Sequence, residues 1–269
     1  MVHELLAGKK GIIFGALDER SIAWQVALKA VDAGADIILT NAPIALRMGK
    51  INELAARCKQ APVIGADATR TEDLEMLYQQ SMDHFGGKVD FVLHSIGMSP
   101  NVRKGFPYEA TNYDNFLKTL DVSALSLHKM LQSAYRLDAL NDWGSVVGLS
   151  YIAAQRAFPG YNDMADAKSM LESIARSFGY IYGKHRKVRI NTVSQSPTVT
   201  TAGSGVTGFD KFFNYAAKIS PLGNAPAEAC ADYCITLFSD LTRYVTMQNL
   251  FHDGGFSFTG VSTDVIDAL

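Results

Sequence analysis

The sequence predicts an α/β fold built on a doubly wound parallel sheet of about seven strands, with helices on both faces. Seven short apolar runs alternate along the chain with helical patterns, as right-handed strand–helix–strand crossovers require. Most of these runs are apolar at every position, which is typical of strands that are buried on both faces of a parallel sheet. The predicted strands are residues 11–14, 37–39, 62–64, 89–93, 146–149, 188–193 and 249–251.

The segments between the predicted strands have apolar residues three and four positions apart, which is the spacing of an amphipathic helix. No linker rich in Pro, Gly or Ser and no internal repeat divides the sequence. We therefore expect a single domain over residues 1–269. Two segments, at about 95–115 and 196–223, break the alternation. Each follows the carboxyl end of a strand, where open α/β sheets bind ligands, so we expect both to be substrate loops.

The composition excludes several classes of protein. With 48% hydrophobic residues and a net charge of -2, this chain of 269 residues is not intrinsically disordered. Because 27 Asp and Glu offset 25 Lys and Arg without a basic block, we expect no nucleic acid partner. No run approaches the ~18 apolar residues of a membrane span, and the N-terminus lacks the pattern of a secretory signal, so we expect a cytoplasmic protein. The three cysteines are expected to be buried thiols, and no histidine pair has the spacing of metal ligands.

The end of the first predicted strand has features of a phosphate-binding turn. Gly15 ends the strand, and a helix is predicted to begin near Ser21. A glycine lets the backbone approach a pyrophosphate closely, and the Ser21 hydroxyl, with free amides of the helix start such as that of Ile22, would hold the phosphate oxygens. The spacing is not the G-x-G-x-x-G fingerprint. An ordinary strand–helix turn with Ser21 as N-cap is an equally good interpretation of these residues alone.

Contacts for adenosine would come from the next two strands. The second strand ends in Thr40-Asn41-Ala42-Pro43, with neither the acid that NAD-binding proteins commonly have there nor an immediate base for a 2′-phosphate. The missing base favours NADH over NADPH, with Ala42 beside the cofactor. After the third strand, Asp67 and Ala68 are candidates for contact with adenine. The alternative is that Asp67 is a solvated loop acid or a helix cap.

The strongest candidates for chemistry are Tyr161 and Lys168. Pro159 and Gly160 precede a helical pattern that begins near Tyr161. Seven residues make two helical turns, so both side chains lie on one face, about 10 Å apart along the axis. A nearby ammonium lowers the pKa of a phenol and stabilises developing negative charge, and it can donate to both hydroxyls of a cofactor ribose. Tyr-x6-Lys often arises by chance, but its place after the fifth strand of a nucleotide-binding fold favours a catalytic pair.

At these residues the sequence resembles the short-chain dehydrogenase/reductase superfamily, which has a Rossmann-like fold. Ordinary members have a catalytic Ser thirteen residues before the Tyr, but here that position is Gly148. Tyr151 lies ten residues before Tyr161 instead. The pattern Tyr-x9-Tyr-x6-Lys resembles that of the enoyl-acyl carrier protein reductases, a divergent branch of the superfamily.

The resemblance extends over the whole sequence. Gly15 with Ser21-Ile22-Ala23 resembles the phosphate loop of that branch, and His94-Ser95-Ile96-Gly97 resembles its loop after the fourth strand. Arg189-Ile190-Asn191-Thr192 leads into Pro197 and a Thr-rich loop, and His252-Asp253-Gly254-Gly255-Phe256 resembles the C-terminal strand end. Two residues depart from the family. Ser196 replaces the usual Gly before Pro197, and Val199 stands where a basic residue is frequent. The departures bear on the loop path and the cofactor preference rather than on the reaction.

The resemblance implies NADH-dependent reduction of a trans-2-enoyl thioester, carried on acyl carrier protein, in fatty acid elongation. Tyr161 would donate a hydrogen bond to the thioester oxygen while hydride passes to the β-carbon, and Lys168 would hold the nicotinamide ribose. Tyr151 would shape the acyl pocket or assist at the same oxygen, its alternative being a core aromatic residue. Ser99 would border the thioester. The other residues implied in cofactor binding are Ser95, Ile96, Gly97, Thr198, Val199, Thr200, Thr201 and Ala202.

The resemblance also implies a lid and a homotetramer. Phe209, Phe212 and Phe213 would cover the acyl chain, the alternative being ordinary core packing. The tetramer would form through long helices near Asn115 and Tyr161. Two rival functions remain. An ordinary ketone or alcohol dehydrogenase would lack its Ser at Gly148, and a non-catalytic dinucleotide-sensing regulator tends to lose the Tyr or the Lys that this chain retains.

Overall fold

The computed structural model describes residues 4–200 and 209–267. The strands in this part of the chain are β1 (Lys10–Phe14), β2 (Asp36–Asn41), β3 (Val63–Gly65), β4 (Val89–His94), β5 (Leu140–Ser150), β6 (Arg189–Gln195) and β7 (Asn249–His252). They form one sheet in the order β3-β2-β1-β4-β5-β6-β7, and every neighbouring pair is parallel. The strand order reverses between β1 and β4, so crossovers run in both directions and helices cover both faces. The predicted doubly wound fold is confirmed.

Helices connect successive strands. They are α1 (Ile22–Asp32), α2 (Pro43–Met48), α3 (Ile51–Arg57), α4 (Thr71–Phe85), α5 (Pro100–Arg103), α6 (Tyr113–Leu120), α7 (Ser126–Arg136), α8 (Asn162–Arg186), α9 (Phe209–Ile219), α10 (Ala227–Phe238) and α11 (Thr263–Ile266). A π-helical turn, Asp121–Leu125, joins α6 to α7. Of the described helices, none is both long and apolar enough to span a bilayer.

Alternate residues of the strands enter two cores, one on each face of the sheet. Ile13 and Leu39 pack with α1 and α10, whereas Ile12 and Ile38 pack with α4, α7 and α8. All four strand residues are buried. Removal of apolar surface from water on both faces is the main force that holds the sheet. It also explains why the strand sequences are apolar without alternation. Cys58, Cys230 and Cys234 are buried free thiols, as predicted.

The fifth strand begins earlier than the sequence predicts. The expected start is residue 146, but β5 begins at Leu140. Its first residues are irregular, because Trp143 has a φ of 62° and the pairing with β4 shifts its register. Asn141 Nδ2 donates to Asp90 Oδ1 at 2.8 Å and fixes this end of the strand. The polar residues and Gly144 indicate a turn when read locally, and only the pairing with β4 makes them a strand.

The two segments predicted as substrate loops contain helices. Residues 95–115 include α5, a 3-10 turn at Tyr108–Ala110 and the start of α6, and residues 196–223 include α9. Ser99 Oγ accepts from Val102 N at 3.0 Å and caps α5, and Asn112 Oδ1 accepts from Asn115 N at 3.0 Å and caps α6. Both helix starts lie in sequence rich in Pro, Gly and Asn, where their caps also read as turn signals.

Candidate active site

The loops that follow β1 and β4 meet at the carboxyl edge of the sheet. Gly15 has a φ of 96°, and a Cβ at this position would lie 2.0 Å from the Ser95 carbonyl oxygen. Only glycine fits such a close approach. The contact brings the predicted phosphate loop against the loop that contains Ser95, Ile96 and Gly97.

The Ser21 hydroxyl shapes the phosphate loop from within. Its Oγ donates to the Asp18 carbonyl oxygen at 2.6 Å and accepts from Leu17 N at 3.2 Å. Ser21 occupies the N-cap position of α1 but makes no side-chain capping bond. Ser21 is therefore the N-cap residue of α1, as in the alternative interpretation, although its side chain bonds within the loop rather than to the helix. The amides of Ile22 and Ala23, the first two of α1, have no carbonyl partner within their own helix and are directed at the loop.

The predicted adenosine contacts lie at the ends of β2 and β3. Asn41 Nδ2 donates to the Ala16 carbonyl oxygen at 3.0 Å, and its Oδ1 accepts from Ala42 N at 2.9 Å. These bonds tie Ala42 to the phosphate loop. Asp67 Oδ1 accepts from Thr69 N at 2.9 Å and from its hydroxyl at 2.7 Å. Asp67 thus forms a local turn, and its second carboxylate oxygen has no hydrogen-bond partner among the described residues.

Lys168 lies buried in α8, two turns after Tyr161, which occupies the N-cap position. Its Nζ donates to the Leu149 carbonyl oxygen at 2.6 Å, the one hydrogen-bond partner that the described residues give it. An ammonium has three N–H donors, so two remain. Burial lowers the pKa of Lys168 to about 8, against an opposing effect of Glu172.

Glu172 is a site residue that the sequence analysis missed. It follows Lys168 by four residues and is itself buried. Oε1 accepts from Ser150 Oγ at 2.6 Å, and Oε2 accepts from Gln155 Nε2 at 2.9 Å. These bonds hold the segment on either side of Tyr151. The spacing of a Glu one helical turn after the Lys was the available signal.

Tyr151 and Tyr161 lie side by side in an aromatic cluster. Their ring centroids are 5.0 Å apart, and Phe158 lies 5.3 Å from Tyr151 and 5.6 Å from Tyr161. Phe158 also contacts Phe212 of α9 at 4.5 Å, edge to face. Neither tyrosine hydroxyl has a hydrogen-bond partner among the described residues. Phe158, which the sequence analysis overlooked, therefore connects the two tyrosines to the predicted lid.

Burial raises the pKa of both tyrosines above the ordinary value of a phenol. For Tyr151, the neighbouring Tyr161 and the carboxylate of Asp253 raise the pKa further. The prediction that Lys168 lowers the pKa of Tyr161 is wrong, because loss of hydration destabilises the phenolate. Both phenols stay protonated near neutral pH and are available as hydrogen-bond donors.

The loop after β4 reaches the same helix. A Cβ on Gly97 would lie 3.8 Å from Lys168 Nζ, which places this backbone beside the ammonium. Ser99 is buried, and its Oγ donates to Asp163 Oδ1 at 2.5 Å. The only proton of the Ser99 hydroxyl is therefore used within the protein. Its predicted role beside a thioester rests on the position of the residue rather than on a free donor.

The loop after β6 is held in place by side-chain hydrogen bonds that the sequence analysis did not predict. Ser196 Oγ accepts from Ala225 N at 3.0 Å, and Thr198 Oγ1 donates to the Ser196 carbonyl oxygen at 3.0 Å. Gln195 Nε2 donates to the Ala225 carbonyl oxygen at 3.2 Å, and its Oε1 lies 2.8 Å from His252 Nδ1. The Ser196 departure is thus accommodated by a bond to a residue far along the chain, for which the sequence has no local signal.

Two further sets of predicted residues extend from this loop. Val199 is exposed, and Thr200 is half-buried beside it. Thr201 and Ala202 lie outside the described residues. In α9, Phe209 and Phe213 are 5.8 Å apart, and Phe212 contacts Phe158 as described above. All three phenylalanines of the predicted lid are half-buried rather than part of the core.

Comparison with known proteins agrees with this geometry. The enoyl-(acyl carrier protein) reductase family matches residues 15–257. The chain belongs to this family. Enoyl-acyl-carrier-protein reductase (NADH) 1 of Rhizobium meliloti is 32% identical over 258 residues, which cover 96% of this chain and 93% of that protein. The FabI protein of Aquifex aeolicus, also named for NADH, is 31% identical over 258 residues, which cover 96% and 94%.

Solved structures of the same family superpose closely on this chain. The FabI–NADH complex of Alistipes finegoldii has a TM-score of 0.97 at 63% identity, covering 99% of this chain and 94% of that one. The reductase of Aquifex aeolicus has a TM-score of 0.88 at 31% identity, covering 96% and 99%. The region that the family matches contains Gly15, Tyr151, Tyr161 and Lys168, so the candidate site lies wholly within the shared fold.

Proposed function

We propose that this chain is an NADH-dependent enoyl-acyl carrier protein reductase that acts on trans-2-enoyl thioesters in fatty acid elongation. One observation carries the proposal. The hydroxyls of Tyr151 and Tyr161, which have no hydrogen-bond partner within residues 4–200 and 209–267, lie on rings 5.0 Å apart. Lys168 bonds to the carbonyl two residues before Tyr151, and this part of the chain leaves two of its N–H donors uncommitted. Donors grouped at a half-buried edge suit an oxygen that gains negative charge.

The residues at the sheet edge fit a dinucleotide. Gly15 lets the phosphate loop pack closely against the Ser95 carbonyl oxygen, and the amides of Ile22 and Ala23 at the amino end of α1 would bind the oxygens of a pyrophosphate. Ala42 and Asp67 lie where adenosine would extend, Ser95 to Gly97 line the middle, and Thr198 to Ala202 would meet the carboxamide. When bound, NADH supplies the hydride that adds to the β-carbon of the enoyl thioester.

Tyr161 supplies a hydrogen bond to the thioester oxygen. Its raised pKa keeps the proton on the phenol, so it donates as negative charge grows on that oxygen during reduction. A donor held in a site with little water acts more strongly than it would in bulk solvent. Tyr151, whose hydroxyl is also unpartnered, either donates to the same oxygen or bounds the acyl chain.

Lys168 holds the ribose of the cofactor and adds positive potential beside the reacting oxygen. Its bond to the Leu149 carbonyl oxygen fixes the ammonium and leaves two donors for two hydroxyls. Glu172 opposes the loss of charge that burial causes. The arrangement keeps the ammonium charged below about pH 8.

The aromatic cluster excludes water from the reacting atoms. Phe158 and Phe212 are in edge-to-face contact, which extends an apolar wall from the tyrosines to α9. An acyl chain bound along this wall would be covered by α9, with Phe209 and Phe213 on the same helix. Ser99 lies at the end of the loop that approaches Lys168.

Acyl carrier protein, carrying the enoyl thioester, is the partner we propose, in the cytoplasm, without nucleic acid and without a membrane. A homotetramer is proposed from the continuous helix of α6, the π turn and α7, together with α8. Large apolar side chains are exposed on these helices, as an interface between copies requires. They are Tyr113, Leu117, Leu125, Tyr135, Tyr180 and Ile181. Light scattering on the purified chain would measure the assembly.

The decisive experiment follows the loss of nicotinamide absorbance with crotonyl thioester as substrate. We expect turnover with NADH and much slower turnover with NADPH. Turnover of acetoacetyl thioester without turnover of crotonyl thioester would favour the ordinary dehydrogenase. Tight NADH binding without turnover of any acyl thioester would favour the dinucleotide-sensing regulator.

A further inference from the structure

A fully buried carboxylate, that of Asp163, lies in the first turn of α8, two residues after Tyr161. Its oxygens accept from Ser99 Oγ at 2.5 Å and Asn101 Nδ2 at 2.7 Å. A third donor, Thr119 Oγ1, lies at 2.8 Å and shares its one proton between Asp163 and the Asn115 carbonyl oxygen at 2.9 Å. All three donors are neutral. Burial of a carboxylate is costly unless its oxygens are hydrogen-bonded, and here the donors and the amino end of α8 together hold the charge.

The three donors come from the segment that follows β4. Ser99 caps α5, Asn101 lies within α5, and Thr119 lies in α6. Asn101 also holds that segment together, because its Nδ2 donates to the Asn112 carbonyl oxygen at 3.1 Å and its Oδ1 accepts from Asn115 Nδ2 at 3.2 Å. One carboxylate thus joins residues 99–119 to the helix of Tyr161.

Asn162 forms a second joint between the same two regions. It has a φ of 41°, which is uncommon for a residue with a side chain. Its Nδ2 donates to the Phe106 carbonyl oxygen at 2.7 Å, and its Oδ1 accepts from Asp163 N at 2.6 Å. Such a backbone conformation persists only where its surroundings fix it. The first turn of α8 is therefore held by residues 99–119 rather than by the helix alone.

The position of the Tyr161 hydroxyl depends on this turn. No described residue bonds to the hydroxyl, and the ring is held by apolar packing against Tyr151, Phe158 and the core, so the backbone of Tyr161 together with this packing sets where the phenol lies. That backbone is continuous with Asn162 and Asp163. Lys168, in contrast, is held from β5 through the Leu149 carbonyl oxygen.

We propose that Asp163 is a positioning residue, whose carboxylate fastens residues 99–119 to the first turn of α8 and so places the Tyr161 hydroxyl for the reaction. The inference rests on the proposed function. It deepens that function by separating the residue that places the phenol from the residue that binds the cofactor.

Asp163→Asn tests the proposal with little change in volume. If the new amide nitrogen faces Asn101, two donors oppose each other, and if it faces Ser99, the Ser99 proton loses its acceptor. We expect kcat with crotonyl thioester to fall about 10- to 100-fold, because displacing a reacting group by about an ångström costs that much. The Kd of NADH should stay within about twofold, since Lys168 keeps its own support.

A double-mutant cycle with Tyr161→Phe distinguishes positioning from a general structural role. If Asp163 acts through the phenol, Asp163→Asn should lower kcat by less than about twofold in the Tyr161→Phe background. If Asp163 only stabilises the fold, its effect should be the same in both backgrounds. The stoichiometry of NADH binding reports the folded fraction and corrects kcat for it.

Reversal of the hydrogen bond provides a rescue. In the pair Asp163→Asn with Asn101→Asp, the amide at 163 can donate to the carboxylate at 101 and still accept from Ser99. We expect this pair to regain part of the kcat that Asp163→Asn loses, because the aspartate at 101 can no longer donate to the Asn112 carbonyl oxygen. Asp114→Asn, at an exposed position of α6, is the matched control and should leave kcat unchanged.

The outcomes separate this inference from the proposed function. Wild-type protein inert toward crotonyl thioester would overturn the proposed function and, with it, this inference. Wild-type turnover with kcat of Asp163→Asn within twofold of it, or with full additivity in the cycle, would overturn the inference alone. If Asp163→Asn does not fold, the reversed pair decides, because a folded pair whose kcat is as low as that of Tyr161→Phe contradicts the hydrogen-bond argument.

Discussion

Two buried charges on α8 differ in how their hydrogen-bonding capacity is used. Asp163, in the first turn, accepts from Ser99 and Asn101 and shares the proton of Thr119 with the Asn115 carbonyl oxygen, whereas Lys168, in the second, has one carbonyl partner among the described residues. Buried polar groups are normally satisfied within the fold, so a buried ammonium with spare donors is an opening for a ligand. The first turn of α8, with Asp163, is therefore held by the fold, whereas Lys168 in the second turn has donors left for a ligand.

Tyr161 combines both properties. Its backbone belongs to the fixed turn, and its hydroxyl has no partner in the part of the chain that the structure describes. Substitution Tyr161→Phe removes that hydroxyl alone. We expect kcat with crotonyl thioester to fall about 10²- to 10³-fold, the usual effect of removing one donor to a developing oxyanion. The Kd of NADH, measured by fluorescence, should change little.

A control for this prediction is Tyr180→Phe, which removes an exposed hydroxyl from the same helix. It should leave both quantities unchanged. A kcat of Tyr161→Phe within about threefold of wild type would contradict the proposed role of Tyr161, because its phenol would then not be a catalytic donor.

Lys168→Met tests whether the spare donors of the ammonium bind the cofactor. Charge-assisted hydrogen bonds contribute about 1.5 to 3 kcal/mol each. Loss of one such bond should therefore weaken NADH about 10- to 100-fold, and loss of both should weaken it further, as measured by fluorescence titration. Lys184→Met, at an exposed position near the end of α8, is the matched control. A Kd within error of wild type in Lys168→Met would mean that the spare donors are not used by the ribose.

The sequence predicts the residues that would contact ligands better than the residues that hold them in place. Tyr151, Tyr161 and Lys168 lie at short, regular spacings near a strand end, so local reasoning and family resemblance both find them. The donors to Asp163 lie between 44 and 64 residues away in the chain. No periodicity relates residues brought together only by tertiary packing, and the same holds for Gln195 and His252.

The fold shows the same division between local and distant information. Most of the seven strands are predictable because they are apolar on both faces, a property of single segments. The early start of β5 is not, since Asn141 becomes part of a strand only through Asp90 of its neighbour. The Tyr161 pKa also follows from packing, because burial outweighs the nearby ammonium that the sequence suggested.

Glu172→Gln tests the role of the Lys168 charge, because it should lower the pKa of Lys168 while leaving its N–H donors in place. The Lys168 pKa is lowered to about 8 by burial, and Glu172 opposes this lowering. NADH binding that needs the ammonium is complete at low pH and declines as pH rises through that pKa. Removing the negative charge should move the alkaline limb of kcat/KM for NADH to lower pH, as shown by a pH–rate profile.

Ser150→Ala is the control that distinguishes the charge of Glu172 from its role in holding the segment beside Tyr151. It removes the bond from Ser150 Oγ to Glu172 Oε1 but leaves the carboxylate in place. The alkaline limb should then stay where it is in the wild type. A limb that moves equally in both variants would show that Glu172 acts by holding the segment beside Tyr151 rather than by its charge.

The smallest effect is expected at Ser196, where the loop after β6 is closed by the fold in the manner of Asp163. Its Oγ accepts from Ala225 N at 3.0 Å, a bond worth about 1 kcal/mol in net stability. Ser196→Ala should lower the melting temperature by about 2 to 4 °C and weaken NADH by a few-fold at most, since one neutral bond is lost. Ser196→Gly loses the same bond and gains backbone freedom, so it should weaken NADH further. If Ser196→Ala and Ser196→Gly bind NADH as tightly as the wild type, the loop is held by Gln195 and Thr198 alone, and the bond to Ala225 contributes only to folding.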